Sequence, residues 1–161
     1  MVFNNNTKKN PMKSPIDVVK RDALVKKYDL MNFAGNKHMV LLSIDEFFDG
    51  NNDEASIAPN ISVKPEMAQY YKVLKTLSKH PKIVDAFVEI KDVMIYDDGK
   101  LHDNDWFYTD VAYFVGDLTK EEVREAVKSL LPDEVEYDTD NRISNFKSEY
   151  KDKKIVFVWW D

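Results

Sequence analysis

Apolar and polar positions change period several times along the chain, and each change predicts an element. Ile16, Val19, Ala23, Leu24 and Tyr28 recur at helical spacing, which predicts a helix from Pro15 to Asp29. Ser14 can cap it, Pro15 suits its first position, and Asp17 favours its positive end. Gly35 then marks a break. From His38 to Ile44 the run is apolar on both faces, as in a central strand. A polar loop, Asp49 to Glu54, leads to Lys64-Pro65-Glu66, which opens a helix striped by Met67, Tyr70, Tyr71, Leu74 and Leu77 and ending near His80-Pro81.

Period two takes over from Ile83 to Tyr96, where Ala86, Val88 and Ile90 alternate with Phe87, Glu89 and Lys91. The alternation slips near Asp92, where a bulge is expected. Asp97-Asp98-Gly99-Lys100 carries a reversing signal, and Trp106 to Val115 is the returning strand. Thr119-Lys120-Glu121-Glu122 is a capping box, with Leu118 and Val123 placed as a hydrophobic staple. The stripe Val123, Ala126, Val127 and Leu130 follows, and Pro132 stops that helix. Asp133 to Asp138 reads as an acidic edge strand, residues 139–150 as a polar loop, and Lys154 to Asp161 as a strand apolar on both faces.

The resulting order is β-α-β-β-α-β with an extra C-terminal strand and an N-terminal helix. That is the order of a ferredoxin-like α+β sandwich, an antiparallel sheet with helices on one face. It places His38–Ile44 and Trp106–Val115 near the middle of the sheet. Phe157 and Trp159 then point one way and Val156, Val158 and Trp160 the other, so the open face needs cover, expected from the N-terminal helix. Residues 1–35 form a basic arm and helix, and 36–161 a single α+β domain.

Charge sharpens this division. Residues 1–37 hold eight Lys/Arg against three Asp (+5), and the rest holds 15 against 26 Asp/Glu (−11), for a net −6. An acidic body repels phosphate backbones and attracts basic surfaces, so no nucleic-acid partner is expected. No segment approaches the roughly 18 apolar residues of a membrane span, and none is expected to bind a membrane. The first fifteen residues lack the apolar core of a secretory signal, so the chain is read as cytoplasmic. With no cysteine there is no thiol nucleophile, thiolate metal site or disulfide.

Four glycines, at 35, 50, 99 and 116, cannot build a P-loop or a dinucleotide fingerprint. There is no G-x-S-x-G elbow or H-E-x-x-H pair, and His38, His80 and His102 fall in separate elements. Asp49, Asn51 and Asp53 match a calcium-loop register, but Glu54 and Asn60 occupy positions that need glycine and a bidentate glutamate. No catalytic residue, metal or cofactor is therefore assigned. The candidates are two acidic patches for a basic partner protein, Asp97/Asp98/Asp103/Asp105 and Asp133/Glu134/Glu136/Asp138, with Tyr71 or Trp160 as aromatic anchor.

Three stretches carry a resemblance: Phe47-Phe48-Asp49-Gly50-Asn51-Asn52-Asp53-Glu54-Ala55-Ser56-Ile57, Pro132-Asp133-Glu134-Val135 and Trp159-Trp160-Asp161. In these, residues 40–161 resemble a family of small uncharacterised bacterial proteins with no established activity. By type, such small acidic proteins are similar to the immunity proteins of polymorphic toxin systems. The resemblance implies a non-catalytic inhibitor that covers a basic toxin. Two alternatives stand beside it. A ferredoxin-like open face could bind a small ligand or a second copy as a homodimer. Alternatively, Asp45, Glu46, Asp49 and Asp53 could do acid/base work with His102, given a pocket.

Overall fold

The protein is described here by a computed structural model covering residues 16–36 and 38–161. The basic arm, with Ser14 and Pro15 of the expected helix start, lies outside the described residues. Five strands form one open antiparallel sheet in the order β1-β2-β3-β5-β4: β1 Leu41–Ser43, β2 Ile83–Glu89, β3 Val111–Gly116, β4 Glu134–Tyr137 and β5 Lys154–Trp159. The helices are α1 Val18–Tyr28, α2 Ile44–Phe48, α3 Met67–Ser78, α4 Lys120–Val127 and α5 Arg142–Phe146. The class is α+β, as the order of periods predicts.

Position within the sheet departs from expectation at the front of the chain. β1 is three residues long and lies at an edge, not in the middle. The run His38–Ile44 is apolar on both faces because Val40 and Leu42 join the main core while Met39 and Leu41 pack on the opposite face, and α2 begins at its end. Ser43 accepts from the Glu46 N–H (3.1 Å) and Glu46 Oε2 accepts from the Ser43 N–H (2.9 Å), a capping box that turns strand into helix. β3 is central, and the terminal strand β5 lies between β3 and the acidic edge strand β4. The interior place of β5 accounts for its two apolar faces.

The β2–β3 ladder ends near the expected slip. β2 stops at Glu89, and an isolated Asp92–Tyr108 bridge continues beyond it. Buried Thr109 fixes the break: its hydroxyl donates to the Glu89 carbonyl (2.7 Å) and accepts from the Val111 N–H (3.2 Å). Gly116 is needed at the other end, since a Cβ there would stand 1.9 Å from the Lys82 carbonyl oxygen.

The main core lies on one face. Leu42, Val88, Ala112, Phe114, Val156, Val158 and Trp160 pack under α3 and α4 with Tyr70, Leu74, Val123 and Val127. α4 has its expected capping box, and Leu118 and Val123 are both buried. Ile16, Leu30 and α1's Leu24 and Val25 join this same core. Asp17 caps α1, accepting from the Lys20 N–H at 3.1 Å. Its backbone N–H reaches the Gly50 carbonyl (2.8 Å), and Gly50, at φ +81°, leaves room for Asp17 that a side chain would fill.

The opposite face carries Phe87, Tyr113, Val115 and Ile155, with Phe157, Trp159 and Leu41 partly buried. Its cover is not α1. Residues 139–150, expected as a polar loop, form α5 and a 3-10 turn, and lay Ile143 and Tyr150 against this face, leaving Phe157 and Trp159 partly exposed.

Candidate functional site

The sequence-predicted site residues do not converge. Asp97, Asp98 and Asp103 are exposed around the 96–100 turn, and Asp105 is half-buried beside them. That turn is held to α1 by Arg21, 3% exposed, whose Nη1 donates to the His102 and Asp105 carbonyls. His102 stacks on Tyr96 with ring centroids 3.4 Å apart. At the far edge, Asp133 accepts from the Asp161 N–H (2.8 Å), Glu136 pairs with Lys120, and Glu134 is exposed. Asp138 receives the Arg142 and Ile143 N–H groups (3.2 and 2.9 Å) and thereby starts α5.

The aromatic anchors need one correction. Trp160 is 0% exposed, packs edge-on against Tyr70, and donates from Nε1 to the Leu130 carbonyl at 2.9 Å. It is a core residue, because β5 turns residue 160 to the helical face. Tyr71 is 39% exposed and donates to Asp45 at 2.9 Å.

The loop carboxylates are each tied to a separate partner. Asp45 pairs with Lys75 and Glu46 with Lys27, while Glu46 also accepts from Tyr28 (2.9 Å). Asp49 pairs with Lys20 (2.6 Å), and Asp53 accepts from the Ala55 and Trp106 N–H groups. Asp45 and Asp49 do share a depression of about 520 Å³ with Phe48, Gly50, Tyr71 and Lys75. The Lys75 hydrogen bond, with Tyr71's, holds the Asp45 carboxyl below its ordinary value. Asn51, in the calcium-like register, is buried and donates to Ser56 (2.9 Å). Among the described residues, no group of three or more His, Cys, Asp or Glu is placed to hold a metal ion.

What the structure does bring together lies on the partly exposed sheet face. Glu89 ends β2 there, only 6% exposed. Its Oε1 accepts from Arg142 Nη2 (2.9 Å), and its Oε2 accepts from the Tyr113 hydroxyl (3.1 Å) and faces Lys91 Nζ (3.4 Å). Arg142 Nη1 closes the network on the Tyr113 oxygen at 3.1 Å. Burial, then Glu89, pushes the Tyr113 hydroxyl well above the tyrosine range. Burial alone would lower Arg142, but Glu89, Tyr113 and Asp138 together outweigh it and raise the guanidinium.

Beside this network opens a cavity of about 250 Å³ lined by Tyr113, Phe157, Trp159, Asp110, Asp140 and Arg142, among others. A second, of about 340 Å³, shares Lys91 and Asp110 with it and is walled by Pro59, Met94 and Tyr108. Asp110 Oδ1 is buried and has no hydrogen-bond partner. Burial pushes the Tyr108 hydroxyl up to about 12.

Alternation sets Phe157 and Trp159 on one side of β5 without saying which side is open, and Glu89, Lys91, Asp110 and Arg142 are not among the residues the sequence singled out. A signal existed for one of them: Glu89 is an acidic residue in a period-two row shared with Phe87. Nothing local marked Arg142, which meets Glu89 across 53 positions.

These features define an α+β protein with an open antiparallel sheet, one face buried under helices and the other partly exposed beside a buried charged network. No helix among the described residues is long and apolar enough to cross a membrane. The chain belongs to the uncharacterized protein YfbO family, whose model matches residues 19–155. The match takes in α1, which lies before the stretch that carried the resemblance, and stops short of Trp159-Trp160-Asp161. No curated protein and no solved structure matches the chain.

Proposed function

We propose that the protein is a non-catalytic binding module that receives a basic partner protein on its second sheet face, around the partly exposed Phe157 and Trp159. An immunity-type inhibitor seated on a basic toxin is the concrete form of this reading. One observation supports it above the rest: partly exposed Phe157 and Trp159 border a cavity rimmed by Asp110, Asp138 and Asp140. Glu134, the register partner of Trp159, extends the acidic rim along β4. Aromatic anchors inside an acidic rim suit a complementary basic surface, the rings supplying affinity and the rim speeding encounter. The net charge of −6 acts in the same direction at long range.

The test is affinity capture of the intact protein from its native cells, followed by binding kinetics at rising salt. The expected partner is basic, associates more slowly as salt rises, and slows further, about tenfold, with Glu134→Lys plus Asp140→Lys. Reversing Asp97, Asp98 and Asp103 at the far turn should slow it less. A partner insensitive to both salt and the Glu134/Asp140 pair would refute the reading.

Phe157 and Trp159 support a second reading, self-association through the same face. Sedimentation should then give a mass that rises with concentration and stays monomeric in Trp159→Ala. A wild-type mass constant over the whole range rejects the homodimer.

A further inference from the structure

Resting on that reading of the partly exposed face, we propose that its two adjoining cavities take an arginine and an apolar side chain two residues away, presented by one extended basic segment of the partner protein. The first cavity, about 250 Å³, falls below the roughly 300–1,000 Å³ of small-molecule sites and is scaled to a single side chain. Tyr113, Phe157 and Trp159 line it, and aromatic faces attract a cation. Lys91 and Arg142 bring two positive charges, but both face Glu89. Against those two stand four carboxylates, Glu89, Asp110, Asp138 and Asp140, so the surroundings stay net negative.

Asp110 decides the chemistry of the guest. It lines both cavities, and its buried Oδ1 accepts no hydrogen bond. A carboxylate in the wall shared by two cavities favours a cationic donor, since hydrogen bonds to a charged acceptor are the stronger ones. Guanidinium fits better than ammonium. It is planar, more weakly hydrated, stacks on rings, and offers a fork of N–H donors to a carboxylate.

The second cavity differs in character. Pro59, Met94 and Tyr108 give it apolar walls, and Met94, Ile95 and Tyr96 leave an exposed apolar run next to it. Side chains at i and i+2 of an extended chain fall on one face roughly 7 Å apart, which suits two cavities with a shared wall.

The probes are the capped peptides acetyl-Arg-Ala-Leu-amide and acetyl-Leu-Ala-Arg-amide, titrated into the isotope-labelled full chain and followed by NMR. Lysine and citrulline replace arginine in two control sets, and pentalysine serves as a general basic probe. At least one arginine peptide should shift the Trp159 indole N–H and the signals of residues 94, 108 and 110. It should bind about fivefold more tightly than its lysine form, with the citrulline form weaker still. Asp110→Asn should abolish the arginine preference while the unfolding midpoint stays near wild type; if that variant fails to fold, Trp159→Leu serves and should weaken the arginine peptide similarly. Equal binding of arginine and lysine forms at these residues, or an arginine preference untouched by either variant, overturns the inference but leaves a basic partner on this face standing. If no peptide, pentalysine included, perturbs these signals, the binding face itself is refuted as well.

Discussion

On one face of the sheet Val88, Phe114 and Val158 disappear beneath α3 and α4, and the contact is mainly apolar. On the other, Phe87, Tyr113 and Phe157 meet a short segment that reaches them through Ile143, Tyr150 and a charged network. The difference is one of means. Two amphipathic helices bring enough apolar area to hold themselves down, at roughly 25 cal/mol per Å² buried. Residues 139–150 bring few apolar side chains, so Arg142 on Glu89 and Tyr150 on Asp85 pin them instead. The cavity beside Arg142 opens where residues 138–142 lead into this segment.

Substitutions on each side put this contrast at risk. Phe114→Ala on the helical face should cost the most, about 3–5 kcal/mol in denaturant unfolding, because no neighbour can fill the hole. On the pinned face, Arg142→Ala should cost about 3 kcal/mol. It leaves the buried Glu89 carboxylate with only Tyr113 and Lys91, the latter 3.4 Å away. Glu89→Ala should cost less, about 1–2 kcal/mol, since the Arg142 side chain is 44% exposed and regains water. Equal costs for the two would mean that Glu89 is not the deeper partner.

Tyr150→Phe removes the hydroxyl that donates to Asp85 and should cost about 1 kcal/mol. It should also raise hydrogen exchange in residues 142–150 and leave α3 and α4 unchanged; faster exchange in α3 would show that the two covers are not independent. The smallest effect belongs to the rim of the helical side, where Glu46 joins α2 to α1. Burial alone would raise this carboxyl. The bonds from Lys27, the Ser43 N–H and Tyr28 outweigh burial and set it below its ordinary 4.5. A lowered carboxyl stabilises above its unfolded value and loses that contribution as pH falls through its folded one. The stability gap between wild type and Glu46→Gln should therefore be under about 1 kcal/mol at neutral pH and shrink below about pH 4.5. A gap that widens in acid would reverse the assignment.

Much of the fold was legible because its signals are short-range. The box at Thr119 and Glu122, the stripe Tyr70–Leu74–Leu77 and the acidic edge strand β4 stand where their residues predict. The same rule read at Ser43 and Glu46 would have found α2 and shortened the first strand. The candidate site was legible only in part. Alternation puts Phe157 and Trp159 on one side of β5 and Trp160 on the other but does not say which side is covered, so the expected anchor Trp160 lies in the core.

By itself, the sequence determined where elements start and stop, since caps, turns and periodicity act over about four residues or fewer. It determined as well that the body is acidic and that residues 155–160 would be apolar on both sides. The tertiary structure alone decided that β5 inserts between β3 and β4, that 139–150 covers the second face, and that Glu89 meets Arg142. Those choices join residues dozens of positions apart, and a chain settles them by packing one whole arrangement against another, for which no short stretch carries a code.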